Sequence, residues 1–228
     1  MPDYRPEFGA LTLDIRVLEL LASRICHDLV SPVGAIRNGL ELIEEMEDEE
    51  SGGGGAGFLG EAVKLIEHSS SQADRRLRVF RLAYGLGGRD QRGFGEARAA
   101  AAGWLDGGRT SLDWPAGVPG EGIAQRRGAV KVLLNVVLLA EEALTHGGTI
   151  TVAGTGTEES ASLTVTADGR PGSLRPEVAE ALTGMVAAAD LSPRSVHAYV
   201  TGRLAEDCGV SLAVAPAGPD RLVFTMSW

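Results

Sequence analysis

The chain has 228 residues, 44% of them apolar and 23% charged, enough for one large or two small domains that each bury a core. Its 31 acidic residues against 21 Lys and Arg leave a net charge of −10 with no long basic run, which argues against nucleic acid or an anionic membrane as a partner. No apolar stretch reaches the roughly eighteen residues of a membrane span, and the opening "MPDYRPEFGA" lacks a signal pattern, so a cytoplasmic protein is expected.

Residues 11–47 carry one helical pattern, with Leu18, Leu21, Ile25, Leu29, Ile36, Leu40 and Ile43 forming a single apolar stripe. "EDEESGGGGAG" then reads as a turn, and residues 58–84 resume the pattern with Leu59, Val63, Ile66, Ala73, Leu77, Phe80 and Tyr84. Two helices with one stripe each cannot close a core, and a symmetric dimer of hairpins making a four-helix bundle would. "GLGGRDQRG" (85–93) reads as a linker. The expected domains are 1–88, a helical hairpin, and 89–228.

In the second part, 96–105 is helical, 110–114 alternates like a short strand, and 129–144 is a strongly apolar helix. Strands follow at 149–154 and 161–168, helices with glycine stops at 175–184 and 193–209, and closing strands at 210–216 and 221–228. The order predicts an α+β fold, with helices layered on hairpin-linked strands.

Within the first helix stands "ICHDLVSP". At about 100° per residue, the apolar stripe lies within about 60° of Leu18, while His27 falls at about 180°, on the opposite face. Ser31, Gly34, Asn38 and Glu45 lie near the His27 line, with Ser23, Arg24 and Glu41 beside it. Pro32 removes a backbone N–H, frees the carbonyl of Asp28 and is expected to bend the helix, at about 3 kcal/mol in a helix interior. Asp28 places an acid beside the ring, and a carboxylate on one imidazole nitrogen fixes the tautomer that leaves the other free to attack phosphorus. Cys26 is expected to be a small buried apolar residue. It makes no metal spacing with any histidine, and a disulfide with Cys208 is not expected. His68, His146 and His197 are expected to be structural or exposed, and the tryptophans to be core or interface anchors.

"HDLVSP" resembles the dimerisation and phosphotransfer domain of histidine kinases, and the second part resembles their ATP-binding sandwich in its order of elements. The nucleotide motifs are degenerate. "LLNVVLLAEEAL" keeps Asn135 but has Leu139 where the family holds Mg²⁺, and a leucine cannot ligate a hard cation. "ADGRPGS" leaves Asp168, Gly169 and Gly172 misaligned, and "AAADLSP" replaces the glycine-rich lid. The combination is similar to the ChpT family of alphaproteobacterial histidine phosphotransferases, a hairpin dimer with a degenerate ATP-domain-like partner.

By that resemblance, His27 takes a phosphoryl group from the receiver domain of a hybrid histidine kinase and passes it to a response regulator of the CtrA type. Asp28 orients the ring and takes its proton. Arg24, Ser31, Gly34 and Asn38 dock the receiver, which brings the Mg²⁺; no cofactor of the chain's own is implied. The competing readings are an atypical ATP-dependent kinase and a non-catalytic dimer that binds a response regulator.

Overall fold

A computed structural model describes residues 14–48, 55–86, 93–118, 121–156, 161–170 and 174–228. Two long helices come first, α1 (Ile15–Asp48) and α2 (Gly55–Ala83). They run antiparallel, with Asp28 facing Arg76 and Gly39 facing Ile66. α2 begins inside the glycine cluster expected to be turn. A helix once nucleated gains one backbone bond per added residue, so its end moves easily. The centre of that expected turn and most of the 85–93 linker lie outside the described residues.

α1 continues unbroken through Pro32, whose ring is buried in the seam with α2. The seam also holds Gly39, where a Cβ would sit 2.6 Å from Ile66 Cγ1, so only a glycine lets the helices approach this closely. On α2 the buried residues of the matching face include Ala62 and Ser69. The expected apolar stripes are therefore divided between two environments. One edge meets the partner helix, whereas Leu18 and Leu40 on α1 and Leu59, Val63 and Leu77 on α2 stay exposed, as does Val33, which is not part of the expected stripe. Cys26 is exposed as well, against the expectation of burial, because it sits on the flank that α2 does not cover. Both cysteines are free.

The remaining elements are α3 (Gly95–Leu105), β1 (Thr110–Asp113), a short α4 (Glu121–Ala124), α5 (Ala129–Ala143), β2 (Gly148–Gly156), β3 (Ala161–Asp168), α6 (Pro176–Leu182), α7 (Val196–Asp207), β4 (Ser211–Pro216) and β5 (Arg221–Ser227), with a 3₁₀ turn at Ala188–Asp190 before α7. Neither α4 nor the 3₁₀ turn is legible in the residue pattern, since each is about one turn long. α6 and α7 stop where expected, at Gly184 and Gly209, both left-handed at φ +73° and +69°.

The strands form one sheet in the order β1-β2-β3-β5-β4, with β1 parallel to β2 and the other pairs antiparallel. Alternation along β3 buries Ala161, Leu163, Val165 and Ala167, while Ser162, Thr164 and Thr166 lie on the less covered face. Leu222, Phe224 and Met226 of β5 join the buried side. α5 covers this face and is buried along nearly its whole length. The fold is thus α+β, as expected. Its core crosses the 88/89 boundary, because Val79, Leu82 and Ala83 of α2 belong to one buried cluster with Leu133 and Leu134 of α5, which in turn covers the sheet. Among the described residues no helix is long and apolar enough to cross a membrane.

Candidate functional site

His27 stands on α1 with its side chain 88% exposed. Its Nδ1 faces Asp28 Oδ1 at 3.4 Å. A carboxylate only accepts, so the tautomer that suits this contact carries its proton on Nδ1 and leaves the Nε2 lone pair to solvent. The second Asp28 oxygen lies 4.0 Å from Arg76 Nη1 on α2. Ser31 and Asn38 are exposed on the same side, and a Cβ on Gly34 would meet nothing within 4 Å. The helical wheel therefore places His27, Ser31, Gly34 and Asn38 on an open surface, and the structure brings Asp28 against the histidine ring.

Arg24 has another position. It is only 20% exposed, and its guanidinium donates to Glu142 at the end of α5. It is committed within the chain rather than presented to a partner. The wheel puts Arg24 beside the polar stripe, but the second half of the chain packs against that flank and supplies an acid.

Glu142 is the hinge of a buried polar chain. His197 of α7, fully buried, faces Glu142 Oε1 through Nδ1 at 2.7 Å and Asn135 Oδ1 through Nε2 at 3.2 Å. The Asn135 amide donates to Ala83 O and Lys131 O, both at 2.9 Å. Lys131 Nζ donates to Tyr84 O at 3.2 Å and Gly85 O at 2.8 Å. Carbonyls at the end of α2, left without partners by helix geometry, are thus capped by two side chains of α5. Burial alone would raise the Glu142 carboxyl, but His197 and then Arg24 hold it below the usual carboxylate range. Burial likewise works against the Arg24 charge, yet Glu142 and Tyr84 leave its pKa above the ordinary value. Burial pushes the Tyr84 phenol well above its usual range.

Lys131, Asn135 and Glu142 are spaced by four and seven on α5, one polar line through an apolar helix. That line is the sequence signal for this network, and a reading of α5 as simply apolar misses it. Buried polar groups require partners, so such a line points to a built-in network. His197 is structural, within expectation, and His68 and His146 are exposed.

The degenerate nucleotide motifs have structural occupations. Leu139 is fully buried, and Asp168 takes Arg221 Nε at 2.8 Å and Nη2 at 2.6 Å across the β3–β5 pair. The "AAADLSP" segment forms the 3₁₀ turn and buries Leu191, whose carbonyl accepts from Arg16 Nη2 at 3.0 Å. It is fastened to α1. Among the described residues no group of three or more His, Cys, Asp or Glu could hold a metal ion.

A helical hairpin presenting an oriented histidine, joined to an α/β layer without intact nucleotide motifs, defines the class of histidine phosphotransfer proteins. Residues 94–220 match the family described as histidine phosphotransferase C-terminal domain, and the chain belongs to that family. It is 33% identical over 208 residues to the protein phosphotransferase ChpT of Brucella abortus (strain 2308), covering 90% of this chain and 92% of that protein. It also resembles a solved bacterial phosphotransferase at 30% identity and a TM-score of 0.71, covering 95% of this chain and 98% of that one.

Proposed function

We propose that His27 is the phosphoryl carrier of this phosphotransferase, working in a phosphorelay between receiver domains in the cytoplasm. The observation that carries the reading is the exposed ring with Nδ1 against Asp28 and Nε2 free, on a surface open from Ser31 to Asn38. Nε2 attacks the phosphorus of an aspartyl phosphate. The P–N bond forms as the P–O bond to the aspartyl group breaks, and the carboxylate leaves with the electron pair. Positive charge develops on the ring and is met by Asp28, which takes the Nδ1 proton and returns it in the onward transfer. Such a transfer needs in-line placement and charge stabilisation more than covalent machinery. The receiver contributes its aspartate and Mg²⁺; this chain contributes position. In this reading the donor is a hybrid kinase, the acceptor is a response regulator of the CtrA type and the role is in cell-cycle control; the likeness to the ChpT family supports it.

The same reading includes a homodimer in which the exposed edges of α1 and α2 meet a second copy. Six large apolar side chains, three on each helix, stay exposed along these edges, and apolar patches of that kind mark interaction surfaces. It also includes the absence of ATP-dependent autophosphorylation, supported by buried Leu139 and occupied Asp168.

The test is to mix the protein with a receiver domain carrying labelled phosphate and follow the label. Uptake by the native chain, and none by a folded His27→Gln, is expected. The label should be lost in acid and comparatively stable in base, as for a phosphoramidate. Label retained by His27→Gln would overturn the assignment. Self-labelling from ATP would favour the kinase reading, and binding of a receiver without uptake the non-catalytic one.

A further inference from the structure

Asp28 sits between His27 and two arginines, and only one of them is available to it. Arg24 acts on Asp28 through its field but is held by Glu142, with Tyr84 also facing the pair. Arg76 of α2 stands 4.0 Å from Asp28 Oδ2, an ion pair without a hydrogen bond. Its guanidinium carbon lies 4.2 Å from the centroid of the Trp104 ring. Trp104 is itself held in place, meeting Phe80 edge-on with ring centroids 5.8 Å apart. Glu141 at the end of α5 attracts Arg76 electrostatically. A planar cation lying on a fixed ring is pre-oriented, and it loses little further freedom when it pairs with an acid.

We propose that Arg76, held against Trp104, is a positioning residue for His27 that acts through Asp28. The guanidinium draws one carboxylate oxygen toward the α1–α2 seam, and that sets the other oxygen against His27 Nδ1. The Nδ1–H tautomer is thereby selected and Nε2 kept as the nucleophile. Without Arg76, the Asp28 carboxylate rotates into water, and the exposed His27 ring, with no fixed acceptor, turns and changes tautomer. Trp104 belongs to α3, so the second part of the chain reaches the histidine through two side chains. The proposal rests on the reading of His27 as phosphoryl acceptor.

The experiment uses full-length protein with ¹⁵N-labelled histidine. The His27 ring signals are assigned by their loss in His27→Gln, and the ring-nitrogen shifts report the tautomer. The native protein should be mainly Nδ1–H. Arg76→Met should move His27 toward the Nε2–H form and slow phosphoryl uptake about tenfold, the scale on which orienting partners of a histidine act. Trp104→Leu should do the same more weakly, and Arg76→Lys should restore part of both, since charge returns without the planar stack. An unchanged His27 tautomer in Arg76→Met overturns the proposal whatever happens to uptake; lost uptake with a native tautomer means that Arg76 touches the partner instead. If Trp104→Leu does not fold, Arg76→Met, at a partly exposed position, carries the test alone. The tautomer is read without any transfer reaction, so failure of His27 as acceptor and failure of this proposal are distinguishable.

Discussion

Glu141 and Glu142 are neighbours on α5 whose carboxyls are pushed in opposite directions. Burial and then the adjacent Glu142 raise Glu141, and its attraction to Arg76 and Arg24 does not reverse the shift. Glu142 sits between His197 and Arg24 and is lowered despite its burial. A carboxyl with a depressed folded pKa contributes stability above its unfolded value, about 4.3, and loses that contribution as pH falls through the folded pKa. Glu142→Gln should therefore cost on the order of 3 kcal/mol near pH 7, because Arg24 and His197 keep no anionic partner. The gap from the native protein should narrow as pH falls below about 4.3 and close only once pH passes below the lowered folded pKa. Urea denaturation at pH 7 and pH 3.5 measures both. Equal destabilisation at the two pH values would mean that packing, not charge, ties α1 to α5. At His27, Asp28→Asn should keep a hydrogen-bonding partner but lose the negative charge, so uptake should fall about tenfold or more without reaching the null of His27→Gln; quenched-flow labelling resolves the difference.

Among elements, α1 carries two glycines with different duties. Gly39 faces α2, where a Cβ already comes within 2.6 Å of Ile66 Cγ1; Gly34 faces open space. Gly39→Leu should destabilise the hairpin by about 2 kcal/mol through overpacking and lower the melting temperature by several degrees. Gly34→Trp should leave melting nearly unchanged and block transfer, because the indole would occupy the surface a receiver needs. Full transfer by Gly34→Trp would mean that docking avoids this face. α5 is the element on which the fold depends most. It covers the sheet, caps α2 through Lys131 and Asn135, and holds α1 through Glu142. Its polar line and its apolar surface therefore join the hairpin to the sheet.

For the molecule as a whole, the exposed apolar edge of the hairpin has a definite consequence. Leu77 is 54% exposed in a single chain, so a charge there meets water rather than the core. Leu77→Glu should therefore leave each chain folded, with unchanged far-UV circular dichroism, while weakening the dimer at least a hundredfold, about 3 kcal/mol. Light scattering across micromolar concentrations checks this. A native chain that is monomeric throughout would remove the four-helix bundle from the reading.

Residue pattern alone determined the longer helices and the strands, because burial of one face imposes a period of about 3.6 or 2 on apolar residues. It also placed His27 opposite the core, since helical phase follows directly from spacing, and placed Asp28 next to it by adjacency. Periodicity says which face is apolar but not what covers it. Only the tertiary structure decided that α2 takes one edge of the α1 stripe and leaves Leu18, Leu40 and Cys26 open. Only it decided that Arg24, polar by phase, turns to an acid 118 residues away. The same holds for Asn135, expected from the resemblance to be a remnant of a nucleotide site. It became a buried clamp on Ala83 and His197, because its partners come from helices that meet only when the chain is folded.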